Sequence, residues 1–138
     1  MKGFTYYLPT KVEFGKDKEN LIGSYISPYD VKKVLIVYGS ERIKTSGLLD
    51  RIAKSLSENG ITFVTSGGVK SNPELSKAKE AITIAKENNV DAVLAIGGGS
   101  VIDISKFIAA GAVYEGDAID LCRSFLPPKD SLKIFVIL

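Results

Sequence analysis

The chain has 138 residues, 45% of them hydrophobic and 25% charged, which is the profile of a single globular domain with its own core and excludes disordered or collagen-like architectures. Its 18 basic and 16 acidic residues leave a net charge of +2, which gives no footprint for nucleic acid or a membrane surface. Histidine is absent, so the sequence excludes a Ser-His-Asp or Cys-His mechanism, an imidazole general base and any His-ligated metal site within these residues.

No apolar run reaches the roughly 18 to 20 residues needed to cross a bilayer. The opening MKGFTYYLPTKVEF has neither an unbroken apolar segment nor a small-residue cleavage site, so no secretory signal is expected. The single cysteine, Cys122, fits a reduced, cytoplasmic protein and is expected to be a small buried or half-buried side chain.

In chain order, Thr10–Phe14 reads as a short strand ending at Gly15, and residues 17–27 as a helix stopped by Ser27-Pro28. Val34-Leu35-Ile36-Val37-Tyr38 is a continuous apolar run broken at Gly39, the pattern of a strand buried on both faces of a parallel sheet. From Ile43 to Ser57 the residues Leu48, Leu49, Ile52, Ala53 and Leu56 recur at helical spacing, and Asn59-Gly60 supplies the stop. Ile61–Thr65 predicts the next strand, followed by a Ser-Gly-Gly loop. Asn72-Pro73-Glu74 predicts a helix start, with Asn72 as N-cap, Pro73 at the first helical position and an acid in the first turn. Leu75, Ala78, Ala81, Ile82 and Ala85 make that helix's inward stripe. A buried strand, Ala92–Ile96, leads through Gly97-Gly98-Gly99-Ser100 into a largely apolar helix ending near Val113, and Lys133–Leu138 is again strand-like.

This βαβαβαβ alternation predicts an α/β fold, a doubly wound parallel, Rossmann-like sheet with right-handed crossovers. Ligand-binding loops in such sheets follow the carboxyl ends of strands. None follows Ile134–Leu138 in this sequence, so a truncated domain is expected.

The turn after Ala95-Ile96 carries the chemistry. Three glycines in a row let the chain bend sharply and let a phosphate approach the main-chain N–H groups. The helix that follows turns its unpaired N–H groups and the positive end of its dipole toward the same point. The segment from Ile96 to Val101 is therefore a candidate site for a phosphate or diphosphate, closest to Gly98 and Gly99. A purely structural reading stands beside it: a tight turn, with Ser100 and Asp103 at the spacing of a capping box. The pattern matches neither the G-x-G-x-x-G fingerprint nor the P-loop.

Gly97-Gly98-Gly99-Ser100-Val101-Ile102-Asp103-Ile104-Ser105-Lys106 resembles the GGGSxxDxAK signature of the iron-containing alcohol dehydrogenases, a branch of the dehydroquinate synthase-like superfamily, with Ser105 for the usual Ala. Pro9–Gly15 resembles the family's P-x-x-(V/I)-x-F-G opening, with Asp17 where a second glycine is common. Lys33–Val37 resembles its first nucleotide-binding strand, Ser46–Asp50 its S-G-L-x-D helix start, and Val69–Pro73 its V-x-x-N-P turn. Tyr114–Asp117 with Asp120-Leu121 resembles the butanol dehydrogenase branch.

The resemblance implies that residues 1–138 are the NAD(P)-binding, N-terminal domain of a two-domain alcohol dehydrogenase that interconverts a primary alcohol and an aldehyde. It places the diphosphate on Gly98, Gly99 and Ser100, with Gly97 and Val101 framing the turn. Asn72 comes near the nucleotide, its alternative role being a plain cap. Asp103 anchors the turn, paired at i, i+3 with Lys106. Gly39 and Ser40 end the first nucleotide-binding strand where NAD-using relatives often carry Asp. That leaves room for a 2′-phosphate which Arg42 or Lys44 would neutralise, against the charge of Glu41, so NADP(H) is expected over NAD(H).

In the family a T-G-S-E-type loop follows the strand corresponding to Lys133–Leu138, and a helical domain supplies one Asp and three His to Fe2+ or Zn2+. Neither is present here, so this piece alone is expected to be catalytically incompetent, with no catalytic residue and no metal ligand of its own. Phe4–Leu8 has strand propensity and is expected to pair across a homodimer. Two other readings remain: a stand-alone, non-catalytic nucleotide- or phosphate-binding module, and a glycerol or glycerol-1-phosphate dehydrogenase or dehydroquinate synthase. Ser100, where glycerol dehydrogenase-like signatures often carry Lys, argues against the glycerol branch.

Overall fold

The computed structural model describes residues 3–123 and 128–138. The apolar runs form four parallel strands: β1 (Lys33–Tyr38), β2 (Thr62–Ser66), β3 (Ala92–Ile96) and β4 (Lys133–Ile137), in the order β2-β1-β3-β4. Register aligns Val37 with Ser66, Tyr38 with Ile96, and Ile96 with Ile137, so the carboxyl ends of the strands finish level. Asp91 sets the opposite end of the sheet, its carboxylate accepting the N–H groups of Lys32 and Lys33 at 2.7 and 2.9 Å.

Strand side chains alternate between two cores. Leu35, Val37, Val93 and Ala95 face α4 (Leu75–Glu87) and α5 (Gly99–Val113). Val34, Ile36, Tyr38, Leu94 and Ile96 face α1 (Ile22–Ile26) and α3 (Leu48–Glu58). This is why β1 and β3 carry no polar alternation: both faces are covered, and each fully buried Leu or Ile adds about 2 kcal/mol by leaving water. Helices on both faces of a parallel sheet make the doubly wound α/β architecture that the pattern predicts. On the α1–α3 face, Gly23 packs so tightly that a Cβ would overlap the Ser55 carbonyl, and its N–H donates to Ser55 Oγ at 3.0 Å.

Several local expectations are corrected. Thr10–Phe14 forms no strand: it has no sheet partner among the described residues, and Val12 and Phe14 are 77% and 98% exposed. Phe4–Leu8 is exposed and joins no strand of its own chain among the described residues. The helix expected over 17–27 is α1 flanked by 3₁₀ turns at Lys18–Leu21 and Ser27–Tyr29. Asp17, just before them, takes φ 60°, a conformation that suits the glycine common at this position. The helix expected over 43–57 is two pieces, α2 (Arg42–Thr45) and α3, divided at Gly47, whose φ of +74° cannot continue an α-helix. Cys122, in α6 (Ile119–Arg123), is exposed rather than buried.

Candidate anion-binding site

β1 and β3 are neighbours whose following connections lead to opposite sides of the sheet, so a crevice opens beyond their carboxyl ends. Gly39 leaves β1 and Gly97 leaves β3 at this point. Gly97 takes φ +146°, donates its N–H to the Ile137 carbonyl at 3.0 Å, and would bring a Cβ within 2.8 Å of Val101 Cγ2. Gly98 is extended and α5 begins at Gly99. The Gly98 carbonyl accepts from Val101 N–H at 3.0 Å and Ile102 N–H at 3.1 Å, which closes the first helical turn.

The N–H groups of Gly98, Gly99 and Ser100 find no acceptor among the described residues. They open into a groove of about 210 Å³ that Lys70, Ser71, Gly98, Gly99 and Ser100 line over the buried Val101. No acidic residue lies in the first turn of α5, so the positive end of its dipole is not cancelled.

The far wall is the loop after β2. Val69 N–H donates to the Tyr38 carbonyl at 3.2 Å, and the Ser71 carbonyl accepts Ser100 Oγ–H at 2.6 Å. At Gly39 a Cβ would stand 3.0 Å from the Val69 carbonyl, so this glycine lets the loop cross the end of β1. Beyond it, Ser40 Oγ accepts Arg42 N–H at 3.2 Å. Lys44 lies 2.8 Å from Glu41 and 5.6 Å above the Tyr38 ring. The hydrogen bond between Lys44 and Glu41 lowers the Glu41 carboxyl below its ordinary range, and together with Tyr38 it raises the Lys44 ammonium.

The structure therefore brings Gly97, Gly98, Gly99, Ser100 and Val101 together, with Gly39 reaching them through Val69 and Val101. Ser40 sits past the end of β1, outside the groove lining. Two capping expectations are corrected. Because Gly97 and Gly98 make the bend, Ser100 falls inside the first turn instead of at the N-cap, which is Gly98, and its hydroxyl ties down the neighbouring loop. Asp103 does not anchor the turn: its carboxylate is 73% exposed and pairs with Lys106 at 3.3 Å. Asn72 is also not a cap. Glu74 occupies that position with an extended backbone, its carbonyl takes the first helical N–H groups, and Asn72 is exposed outside the groove lining. Sequence reasoning passed over Lys70 and Ser71 as wall residues. The V-K-S-N-P segment marked the loop, but only folding shows that it crosses β1 toward α5.

Among the described residues, no three His, Cys, Asp or Glu side chains are grouped to hold a metal, and no helix is long and apolar enough to cross a membrane. The residues present do not fit an iron centre. They do leave room for a diphosphate, because among the described residues a Cβ at Gly98 or Gly99 would meet nothing within 4 Å beyond its chain neighbours and the backbone of its own helix.

Residues 9–138 match the family described as iron-containing alcohol dehydrogenase. The chain belongs to that family. It is 51% identical over 123 residues to the NADH-dependent butanol dehydrogenase A of Clostridium acetobutylicum, covering 89% of this chain and 31% of that protein. It is 38% identical over 114 residues to the NADPH-dependent aldehyde reductase YqhD of Escherichia coli, covering 83% of this chain and 28% of that protein. The crystal structure of NADH-dependent butanol dehydrogenase A from Thermotoga maritima superposes with a TM-score of 0.94 at 43% identity, over 100% of this chain and 35% of that one. The chain thus spans about a third of the length of these iron-containing alcohol dehydrogenases.

Proposed function

We propose that these 138 residues are the nucleotide-binding domain of an NAD(P)-dependent alcohol dehydrogenase acting on a primary alcohol or its aldehyde. The carrying observation is the turn itself: three N–H groups without acceptors among the described residues, beside two glycines whose missing side chains no packing contact among those residues requires. Gly98, Gly99 and Ser100 would hold the diphosphate through main-chain N–H groups, while Ser100 Oγ keeps the opposite wall in place. When bound, the nicotinamide supplies the hydride acceptor or donor. Gly97 sets the bend, and Val101 forms its apolar floor. The family's metal would take its ligands from outside these residues.

The β1 turn bears on cofactor choice. Gly39 and Ser40 leave space, and Arg42 and Lys44 would favour a 2′-phosphate. Lys44, however, is engaged by Glu41, which stays ionised and repels a second anion. The charge balance, together with two NADH-dependent proteins among the similar ones, supports NAD(H) over the NADP(H) that the open turn suggests.

Calorimetric titration with NADH, NADPH, ADP-ribose and inorganic phosphate tests both points. NADH and ADP-ribose are expected to bind well above phosphate, with NADPH several-fold weaker than NADH, and Glu41→Gln is expected to close most of that gap. Dinucleotides no tighter than phosphate would end the assignment. A cytoplasmic homodimer belongs to the same proposal, with the exposed Phe4 and Tyr7 side chains as surface a second copy would cover, and light scattering reads the mass.

A further inference from the structure

Among the described residues lining the groove over Gly98, Gly99 and Ser100, Lys70 bears the one charged side chain. Its main chain is fixed on both sides: the preceding Val69 N–H is bonded to Tyr38 at the end of β1, and the following Ser71 carbonyl to Ser100 in α5. Its side chain is loose by comparison. It is 74% exposed and rests on one partner, Glu74 Oε1 at 3.1 Å, itself 61% exposed. Exposed pairs of this kind are weak and readily exchanged.

Lys70 and Glu74 also line a second cavity of about 270 Å³, so Lys70 borders two spaces. A diphosphate carries two negative charges, and the N-terminus of a helix offers only about half of a positive one. Main-chain donors alone leave that charge largely uncompensated, and a lysine on a flexible stem, with three donors, is suited to meet it.

We propose that Lys70 is a cofactor-binding residue of the dinucleotide site, resting on Glu74 in the free protein and exchanging that carboxylate for diphosphate oxygens when the cofactor binds. The proposal rests on the reading of the groove given above. It makes opposite predictions for the two members of one salt bridge. Lys70→Met removes the ligand's countercharge, whereas Glu74→Gln removes its competitor.

The test is calorimetric titration of the full chain and its variants with ADP-ribose and NADH at low and high salt. Lys70→Met is expected to weaken both ligands roughly tenfold and to flatten the salt dependence, while Lys70→Arg keeps most of the affinity. Glu74→Gln is expected to tighten binding about twofold to threefold. Circular dichroism and urea midpoints, expected to match the unsubstituted chain, establish that each variant is folded. If the unsubstituted chain binds ADP-ribose and Lys70→Met binds it equally well, the role of Lys70 is overturned and the groove assignment stands. If both variants weaken binding alike, the pair is a strut and the proposal again fails. If the unsubstituted chain binds neither ligand, the groove assignment fails first and takes this inference with it.

Discussion

At Gly97 the backbone takes φ +146°, and an added Cβ would press against Val101 Cγ2 at 2.8 Å. Two residues later, at Gly99, the backbone is helical and, among the described residues, nothing beyond its neighbours and its own helix backbone lies within 4 Å of a Cβ. Gly97 answers to the protein's own geometry, while Gly99 stands where the proposed diphosphate would lie. Gly67 belongs with Gly97, since a Cβ there would enter the Tyr38 ring, and Gly98 belongs with Gly99. Within a single glycine run the boundary between folding and binding therefore falls between neighbouring residues, and substitution can separate the two.

The largest effect is expected at Gly97. Gly97→Ala combines an unfavourable φ with a contact that Val101 has to yield to, and should cost about 3 kcal/mol of stability. A urea titration followed by circular dichroism reads that loss. Gly99→Val inverts the result: its stability in urea should stay within about 0.5 kcal/mol of the unsubstituted chain, while the branched side chain occupies the proposed phosphate position. Affinity for ADP-ribose should fall about a hundredfold, equivalent to about 2.7 kcal/mol. A Gly99→Val variant that unfolds, or one that binds normally, would erase the distinction between the two glycines.

That distinction was only partly legible in the sequence. The strands could be read because burial on both faces turns a parallel strand into an unbroken apolar run, as in Val34–Tyr38 and Ala92–Ile96. The glycine turn could be read because its composition fits almost nothing else. The caps could not. Asn72 and Ser100 are residue types that cap, yet the helices begin at Leu75 and Gly99, positions set by how the Val69–Ser71 loop crosses β1. Thr10–Phe14 has a strand-like composition, but a strand forms only with a partner for its N–H and carbonyl groups, and none lies among the described residues. Lys70 looked like any surface lysine until the loop carried it to the mouth of the groove.

Two serines of α5 sharpen the comparison at lower energy. Ser100 Oγ donates to Ser71 at 2.6 Å, whereas Ser105 is fully buried and its Oγ has no hydrogen-bond partner among the described residues. A buried hydroxyl without a partner costs stability, and the family signature usually has Ala at this position. Ser105→Ala should raise stability by about 1 kcal/mol in urea titration without altering ADP-ribose affinity. Ser100→Ala should lower stability by a similar amount and weaken binding with it, because the wall it holds lines the groove. Equal and opposite stability changes with unequal binding changes would place the binding determinant at the start of the helix.

The smallest effect concerns charge at the β1 turn, where Glu41 and Lys44 differ from the uncharged turn at Gly98 and Gly99. The Glu41 carboxyl is held below its ordinary value, chiefly by its hydrogen bond to Lys44, and Lys44 is held above its own by the same bond and by Tyr38. A carboxylate with a lowered pKa stabilises the fold above its unfolded pKa, and that contribution disappears as pH falls through the folded value. A lysine with a raised pKa contributes below its unfolded value and loses that contribution as pH climbs through the folded one. The pair is therefore intact across neutral pH and fails first on the acid side, with little change in stability because both groups are exposed. A carboxyl-carbon NMR titration should place the Glu41 midpoint below that of an unpaired glutamate, and Lys44→Met should return it to the ordinary range. If the midpoint does not move in Lys44→Met, the lysine is not what keeps Glu41 ionised, and it would remain available to a 2′-phosphate. The choice between NAD(H) and NADP(H) would then turn on Arg42 and Lys44 together.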